Sequence, residues 1–285
     1  MLRRISRAAA WLVLILPAAA LASDDVPWDL IDGGADLKGV RKEAAAEVLA
    51  SAKCYGGCEG TILSCLSKSG GDPIARRLAA FVVRRVKADR DPEEILKEIE
   101  DRRLSAFPEK PLDPDVAKTP LCGDAKAPIR VVLYADFGCP YCKATATALR
   151  DLVQKDPKRI AYYFKNYPLK SNDRAVPAAR ALLAAEKQGK FWEMHDFLFA
   201  NDKDLSDAAI EAGAKKVGLD LARFRADQED PSVVERLRAE KMEGIRFGVK
   251  KTPGILVNGK PYRGVRTWEE LFDRIEEERD LLDVK

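Results

Sequence analysis

The chain has 285 residues, 46% apolar and 33% charged, a globular composition that excludes a disordered or collagen-like polymer. At roughly 150 residues per domain, this length suggests two domains, each able to bury a core. Lysine and arginine number 49 against 46 acidic residues, and the whole excess sits at the start of the chain.

Residues 1–22 run from Arg3, Arg4 and Arg7 through the apolar stretch Ala8–Leu16 to Ala20-Leu21-Ala22, a secretory signal pattern. The apolar run is shorter than the roughly 20 residues of a spanning helix, so cleavage near Ala22 is expected rather than anchoring. Without those three arginines the chain carries 46 basic and 46 acidic residues. That neutral balance offers nothing to nucleic acid. No later segment suits a bilayer, so the mature chain is expected in the periplasm or secreted, without membrane insertion. In that compartment cysteines can pair.

Residues 23–107 read as a small helical domain containing cysteines: helix, cysteine-bearing turn, helix, helix. Gly56-Gly57 and Ser69-Gly70-Gly71 interrupt the backbone. Pro73 opens a helix whose Ile74, Leu78, Phe81, Val82 and Val86 recur at three- and four-residue steps, and Asp91-Pro92-Glu93-Glu94 caps the next. Residues 108–127, with Pro108, Pro111, Pro114 and Pro120, read as a linker. Residues 128–285 read as α/β. Ile129–Tyr134 is an apolar, β-branched run expected as a buried strand, and Arg159–Lys165 is a second. A helical pattern follows, giving an insertion over about 169–248. Gly254–Val257, Asn258-Gly259 and Lys260–Arg263 form a hairpin signal, and Trp268–Leu281 a final helix. The charged run Arg274–Asp280 is expected on the solvated face of that helix.

Between the first strand and its helix stands Cys139-Pro140-Tyr141-Cys142. Thiolates, not thiols, attack disulfides, and the unpaired N–H groups of a helix N-terminus stabilise the anion. Cys139 is therefore expected to attack and Cys142, one turn inward, to resolve, with Pro140 and Tyr141 forming the active-site loop. The other reading is a staple or half a zinc site, but the second Cys-x-x-Cys of a zinc ribbon is missing. His195 is the only histidine; its spacing with Phe191 and Phe199 suggests a packed ring. No metal and no organic cofactor is expected, the redox group being the Cys139–Cys142 disulfide.

Asp136-Phe137-Gly138-Cys139-Pro140-Tyr141-Cys142, the helical insertion with Phe191-Trp192-Glu193-Met194-His195, and Thr252-Pro253 before an Asn-Gly hairpin together resemble the DsbA-like thiol:disulfide oxidoreductases. The resemblance covers about residues 125–280. It implies a thioredoxin fold with a large helical insertion, preceded here by a small all-α domain. It further implies that Pro253 is a cis-proline beside the site, that the Thr252 backbone contacts substrate, and that Asp136, otherwise an ordinary strand-end residue, tunes Cys142 or relays its proton. Protein or peptide thiols and disulfides would be the substrates, with a membrane redox partner recycling the site. The Pro-Tyr dipeptide and Thr252 also resemble isomerase and reductase relatives. A reductant or isomerase for apocytochrome c or misoxidised clients is therefore an alternative. A peptide-binding, chaperone-like module with structural disulfides is another.

Cys54, Cys58, Cys65 and Cys122 allow three pairings. Cys54–Cys58 across the glycine pair would leave Cys65 and Cys122 to clip the linker to the helical domain, the expected arrangement. Cys54 to Arg103 is similar to the CcmH-like helical domain, with one more residue between Cys54 and Cys58 than that family's Cys-x-x-Cys. The four are thus structural staples or a second redox centre.

Overall fold

The computed structural model describes residues 25–68 and 71–283; the expected signal segment, residues 1–22, lies outside them. Four helices make the N-terminal unit: α1 (Gly39–Ser51), α2 (Ile62–Leu66), α3 (Pro73–Lys87) and α4 (Pro92–Ala106). Asp72 and Asp91 cap α3 and α4 by accepting the Ala75 and Glu94 N–H groups, and a proline follows each where the missing donor costs nothing. The short α2 was not expected; the Thr61 side chain starts it by accepting the Ser64 N–H. The apolar faces of α1, α2 and α3 close over one core, with Ile95 and Ile99 of α4 joining it.

The second unit is built on a five-stranded sheet of order β1-β3-β2-β4-β5. The strands are β1 (Leu121–Gly123), β2 (Ile129–Ala135), β3 (Ile160–Asn166), β4 (Gly254–Val257) and β5 (Lys260–Pro261). Central β2 runs parallel to β3 and antiparallel to β4. Its Val131, Leu133 and Ala135 join the main core, while Val132 and Tyr134 face a smaller cluster with Tyr167 and Leu256. Burial on both faces explains why the run is apolar without alternation. Helix α5 (Pro140–Lys155) follows β2. Helices α6 (Ala175–Glu186), α7 (Phe191–Ala200), α8 (Asp207–Lys216), α9 (Leu221–Gln228) and α10 (Pro231–Arg246) separate β3 from β4, and α11 (Trp268–Asp283) ends the fold. This is a thioredoxin-like α/β fold with a helical insertion, preceded by helices. Among the described residues no helix is long and apolar enough to cross a membrane.

The stretch read as a linker is fastened at several points. Residues 121–123 form the edge strand β1 on β3. The Leu112 N–H donates to Gly259 O at 2.7 Å, at the tip of the β4–β5 turn. Gly259 has φ of 75°, and a Cβ there would lie 2.1 Å from Leu112 O, so both the turn and the close approach require glycine. Lys165 of β3, buried, reaches Glu243 and the Asp115 carbonyl, each at 2.5 Å. Proline spacing reads as a spacer because such contacts leave no local signature.

Helix α11 corrects the expectation for Arg274–Asp280. Leu271 and Ile275 enter the main core, while the opposite face meets α3 and α4. Arg84 forks onto Glu270 with both bonds at 2.8 Å, and its Nη2 also reaches Asp273 at 2.8 Å. Arg102 Nη1 donates to Asp273 at 2.8 Å and its Nε to Glu277 at 3.2 Å. Arg77 binds Asp273 and Asp280. The Tyr55 hydroxyl donates to Glu277, which is fully buried. Arg274 reaches Glu278 at 2.7 Å and the Ser105 carbonyl at 3.3 Å. A run of charges reads as a solvated face only if nothing of opposite charge covers it, and here Arg77 and Arg84 of α3 and Arg102 of α4 do.

Burial raises the Asp273 pKa, but Arg102 and Arg84 outweigh it and hold the carboxyl below its usual 3.8. A depressed carboxylate stabilises the fold above its unfolded pKa, so this contribution is lost as pH falls through 3.8 and below. Arg102→Ala should take one partner from each of Asp273 and Glu277, which keep Arg84 and Arg77 on the first and Tyr55 on the second, and cost about 1–3 kcal/mol in urea unfolding. Removal of exposed Arg90 should change stability by less than about 0.5 kcal/mol.

Candidate active site

Cys139 occupies the junction of β2 and α5. It is the N-cap of α5, with extended φ and ψ of −92° and 115°, and Pro140 follows in the first turn. Its Sγ accepts the Cys142 N–H at 3.4 Å. The thiol also lies 3.7 Å from the Thr252 carbonyl. Hydrogen bonding from the Cys142 side chain is the largest influence on Cys139. It outweighs burial and, with Thr252 and the N–H groups of Cys142 and Tyr141, lowers the pKa from 9.0 to about 6. Cys142 is fully buried, and burial followed by its bond to Cys139 pushes its thiol far up. The pair is thus a partly exposed thiolate beside a protonated thiol, both unbridged in this structure. Tyr141 is 62% exposed beside them.

The Thr252–Pro253 peptide bond is cis, and Thr252 is buried against the cysteines. The structure thus gathers Cys139, Pro140, Tyr141, Cys142, Thr252 and Pro253 at one end of the sheet. Asp136 lies alongside and is buried, but its carboxylate is engaged elsewhere. Oδ1 accepts from Gly138 N at 2.8 Å and Asn172 Nδ2 at 2.7 Å, and Oδ2 from Leu169 N at 2.7 Å. These bonds tie the loop before α5 to the loop after β3 and hold the carboxylate in place.

Three nearby residues escaped the sequence reading. Asn172 completes the Asp136 anchor. Arg266 Nη1 lies 3.5 Å from Thr252 O. Lys143 Nζ, one residue past Cys142, binds Asp202 at 2.7 Å and pins α5 to the segment after α7. All three depend on contacts between distant segments, and none belongs to a spaced motif.

His195 is packed, as its spacing suggests. Its ring lies 4.8 Å from Phe164 and 5.0 Å from Phe199, with Nδ1 at 2.8 Å from Asp196. Burial lowers its pKa below 6.5 despite Asp196.

The remaining cysteines depart from the expected pairing. Cys58 bonds Cys65, with Cα atoms 5.9 Å apart, while Cys54 and Cys122 are free thiols. Cys65 lies on α2 inside the N-terminal core, whereas Cys122 lies on β1 in the sheet core, its sulfur 2.7 Å from Arg150 Nη1. Two cores separate the partners of the expected clip, and α2, unseen in the sequence, brings Cys65 to Cys58 instead.

Iodoacetamide labelling of Cys139 should follow a titration centred near pH 6, leaving about nine in ten sites reactive at pH 7. Cys142 should stay unlabelled until the protein unfolds. A midpoint near 9 would contradict this electrostatic picture. For His195, the unfolded chain binds more protons below pH 6.5, so stability should fall with pH there. His195→Phe should flatten that slope in acid-dependent thermal unfolding.

Residues 115–277, more than half of the chain, match a family model described as Thioredoxin; the match begins after the four N-terminal helices. Among curated proteins, the Na(+)/H(+) antiporter NhaA 1 of Salinispora arenicola is 39% identical over 156 residues, which are 54% of this chain and 23% of that protein. The Na(+)/H(+) antiporter NhaA 3 of Salinispora tropica is 37% identical over 155 residues, with the same coverages of 54% and 23%. The chain therefore spans less than two thirds of the length of these relatives. A thioredoxin-like oxidoreductase from Silicibacter pomeroyi DSS-3 superposes with TM-score 0.52 and 27% identity, over 62% of this chain and 97% of that one. BdbD from Bacillus subtilis gives 0.53 and 22%, over 59% and 96%. The thiol-disulfide exchange protein alpha-DsbA2 from Wolbachia pipientis gives 0.51 and 20%, over 64% and 94%. The last two likenesses concern the fold alone. A parallel β2–β3 pair, a cysteine-headed helix and a cis-proline loop, matched over residues 115–277, make this chain a member of the thioredoxin family, similar to the DsbA-like thiol–disulfide oxidoreductases.

Proposed function

We propose that the protein exchanges disulfides with protein or peptide substrates through Cys139-Pro140-Tyr141-Cys142. The observation that carries this reading is the division of labour within one helical turn: Cys139 with a pKa of about 6, Cys142 buried and protonated. In the reductive direction the Cys139 thiolate attacks a substrate disulfide, forming a mixed disulfide and expelling a substrate thiolate. Cys142 then loses its proton and attacks Cys139 Sγ. The Cys139–Cys142 bond forms, the mixed disulfide breaks, and the second substrate thiolate departs. Oxidation of substrate thiols is the reverse sequence. Thr252, beside the cis bond to Pro253, offers its carbonyl at the sulfur, where an extended substrate segment can pair with it.

Export to the periplasm or beyond, with cleavage near Ala22, belongs to this reading and rests on the signal pattern of residues 1–22. So does a membrane redox partner that recycles the pair, since each turnover leaves Cys139 and Cys142 in the wrong oxidation state. The antiporter function of the curated relatives is not carried over.

The alternative of reductant or isomerase has its own observation. Thiolate stabilisation makes a dithiol pair more oxidising, and nucleophilic cysteines of this fold range from about 3.5 in DsbA to about 7 in thioredoxin. A Cys139 pKa of about 6 lies nearer the reducing end.

Cys139→Ser should abolish insulin reduction and model-peptide disulfide exchange. Cys142→Ser should accumulate a mixed disulfide with substrate, visible as an intact-mass adduct released by dithiothreitol. Full turnover by Cys139→Ser would overturn the assignment. Titration in glutathione decides the direction: a potential near about −120 mV marks an oxidase, one near about −270 mV a reductant.

A further inference from the structure

Between residues 54 and 65 the N-terminal domain holds two chemical states side by side, the Cys58–Cys65 disulfide and the Cys54 thiol. All three residues belong to one apolar core. The backbone confines them. Lys53 and Thr61 bridge as antiparallel neighbours, and the Cys54 N–H donates to Gly60 O at 2.9 Å. A Cβ on Gly60 would lie 3.7 Å from Cys65 Sγ, so Cys54 and Cys65 flank the same glycine. Asp72 ties the group together: its N–H meets Cys65 O at 3.5 Å, and its Oδ1 lies 3.9 Å from Cys54 Sγ. Gly56 packs so closely that a Cβ would come within 2.8 Å of the same Oδ1. Cys54 and Cys58 are each 9% exposed at the edge of the loop, whereas Cys65 is fully buried.

We propose that Cys54, Cys58 and Cys65 form a thiol–disulfide switch in which Cys54 displaces Cys65 from Cys58, and that Tyr55 transmits the change to α11. The Cys54 proton leaves to solvent at the loop edge, and the thiolate attacks Cys58 Sγ. The Cys54–Cys58 bond forms, the Cys58–Cys65 bond breaks, and Cys65 departs with the electron pair and takes up a proton. No electrons enter or leave, so no oxidant is required. The pairing seen here is the resting one, because the exchange would expel a thiolate into an apolar core. Burial also raises the Cys54 thiol, which makes the attack slow at neutral pH and faster as pH rises.

Tyr55 gives the exchange a mechanical readout. It stands inside the ring that a Cys54–Cys58 bond would close, its hydroxyl donating to Glu277 and accepting from Arg102 Nε at 3.1 Å. Its ring meets Phe107 edge-on at 6.0 Å. Drawing Cys54 and Cys58 together moves Tyr55 and removes a partner from Glu277. The contact between the helical domain and α11 loosens as a result.

The switch goes beyond the proposed catalytic reading and is tested without it. The full chain carrying Cys139→Ser and Cys142→Ser is equilibrated in graded glutathione at pH 8, quenched in acid, alkylated with N-ethylmaleimide and mapped by tandem mass spectrometry. Molecules with one remaining disulfide should fall into two classes, one alkylated at Cys54 and a smaller one at Cys65, the second vanishing when Cys54→Ser is added. Alkylation of Cys65 only where Cys58 is also alkylated overturns the switch. In the same background Cys65→Ser should form Cys54–Cys58; free thiols at both positions in the folded protein under oxidising glutathione also overturn it. Hydrogen exchange in α11 should be faster in Cys65→Ser than in Cys54→Ser. Equal exchange overturns the coupling through Tyr55. None of these readouts uses Cys139, so their failure leaves the catalytic proposal standing, and the reverse holds.

Discussion

A helix must begin with N–H groups that its own backbone cannot pair, and in this protein the first such group to matter is given a sulfur to hold. Cys139 takes the place that serine, threonine or aspartate takes at the other capped helices, accepting the Cys142 N–H as Ser206, Thr61 and Asp72 accept theirs. A neutral thiol is a poor cap and a thiolate a good one, so helix formation and thiol ionisation favour each other. Everything around the junction preserves that geometry. The parallel β2–β3 pair fixes where β2 ends, Asp136 fastens the loop that follows, and Lys143 fastens the first turn of α5 to the insertion. The second cysteine, on the buried face of the same turn, then has no choice but to remain protonated.

The charges of α11 set the relation between the two halves of the chain. Apolar residues attach one face of this helix to the sheet core, and its acids receive arginines from α3 and α4 on the other. Exposed pairs contribute at most about 1 kcal/mol, but a buried charge without its partner costs several times that. Such a seam specifies which surfaces meet more than it adds to stability. It also makes the joint sensitive to any movement of Tyr55 or Arg102, the two side chains that reach Glu277 from the helical domain.

Legibility in the sequence followed the range of the interaction. The β2 strand, the Cys139–Cys142 helix start and the Asn258-Gly259 turn were readable because each is determined by neighbours in the chain: an apolar run, a cap position, two residues at positive φ. The cis bond at Pro253 followed from a motif resemblance. The edge strand at Leu121–Gly123 was not readable, since three residues without a periodic pattern become a strand only by pairing with Tyr163 to Ala161. The five residues of α2 are likewise too few to show a helical repeat.

The sequence by itself determined where the Cys139–Cys142 pair stands, because a cysteine at a helix cap needs only a strand end and a helix start, and both are local. It also determined the core stripes of its longer helices, which periodicity records. Only the tertiary structure decided that Cys58 bonds Cys65, that Asp136 anchors loops, and that Arg274 and Glu276–Glu278 are buried. Each of these depends on which distant surface comes to lie opposite. A cysteine, a carboxylate or a charged helical face carries no local mark of its partner, and the fold supplies that partner by bringing together segments far apart in the chain.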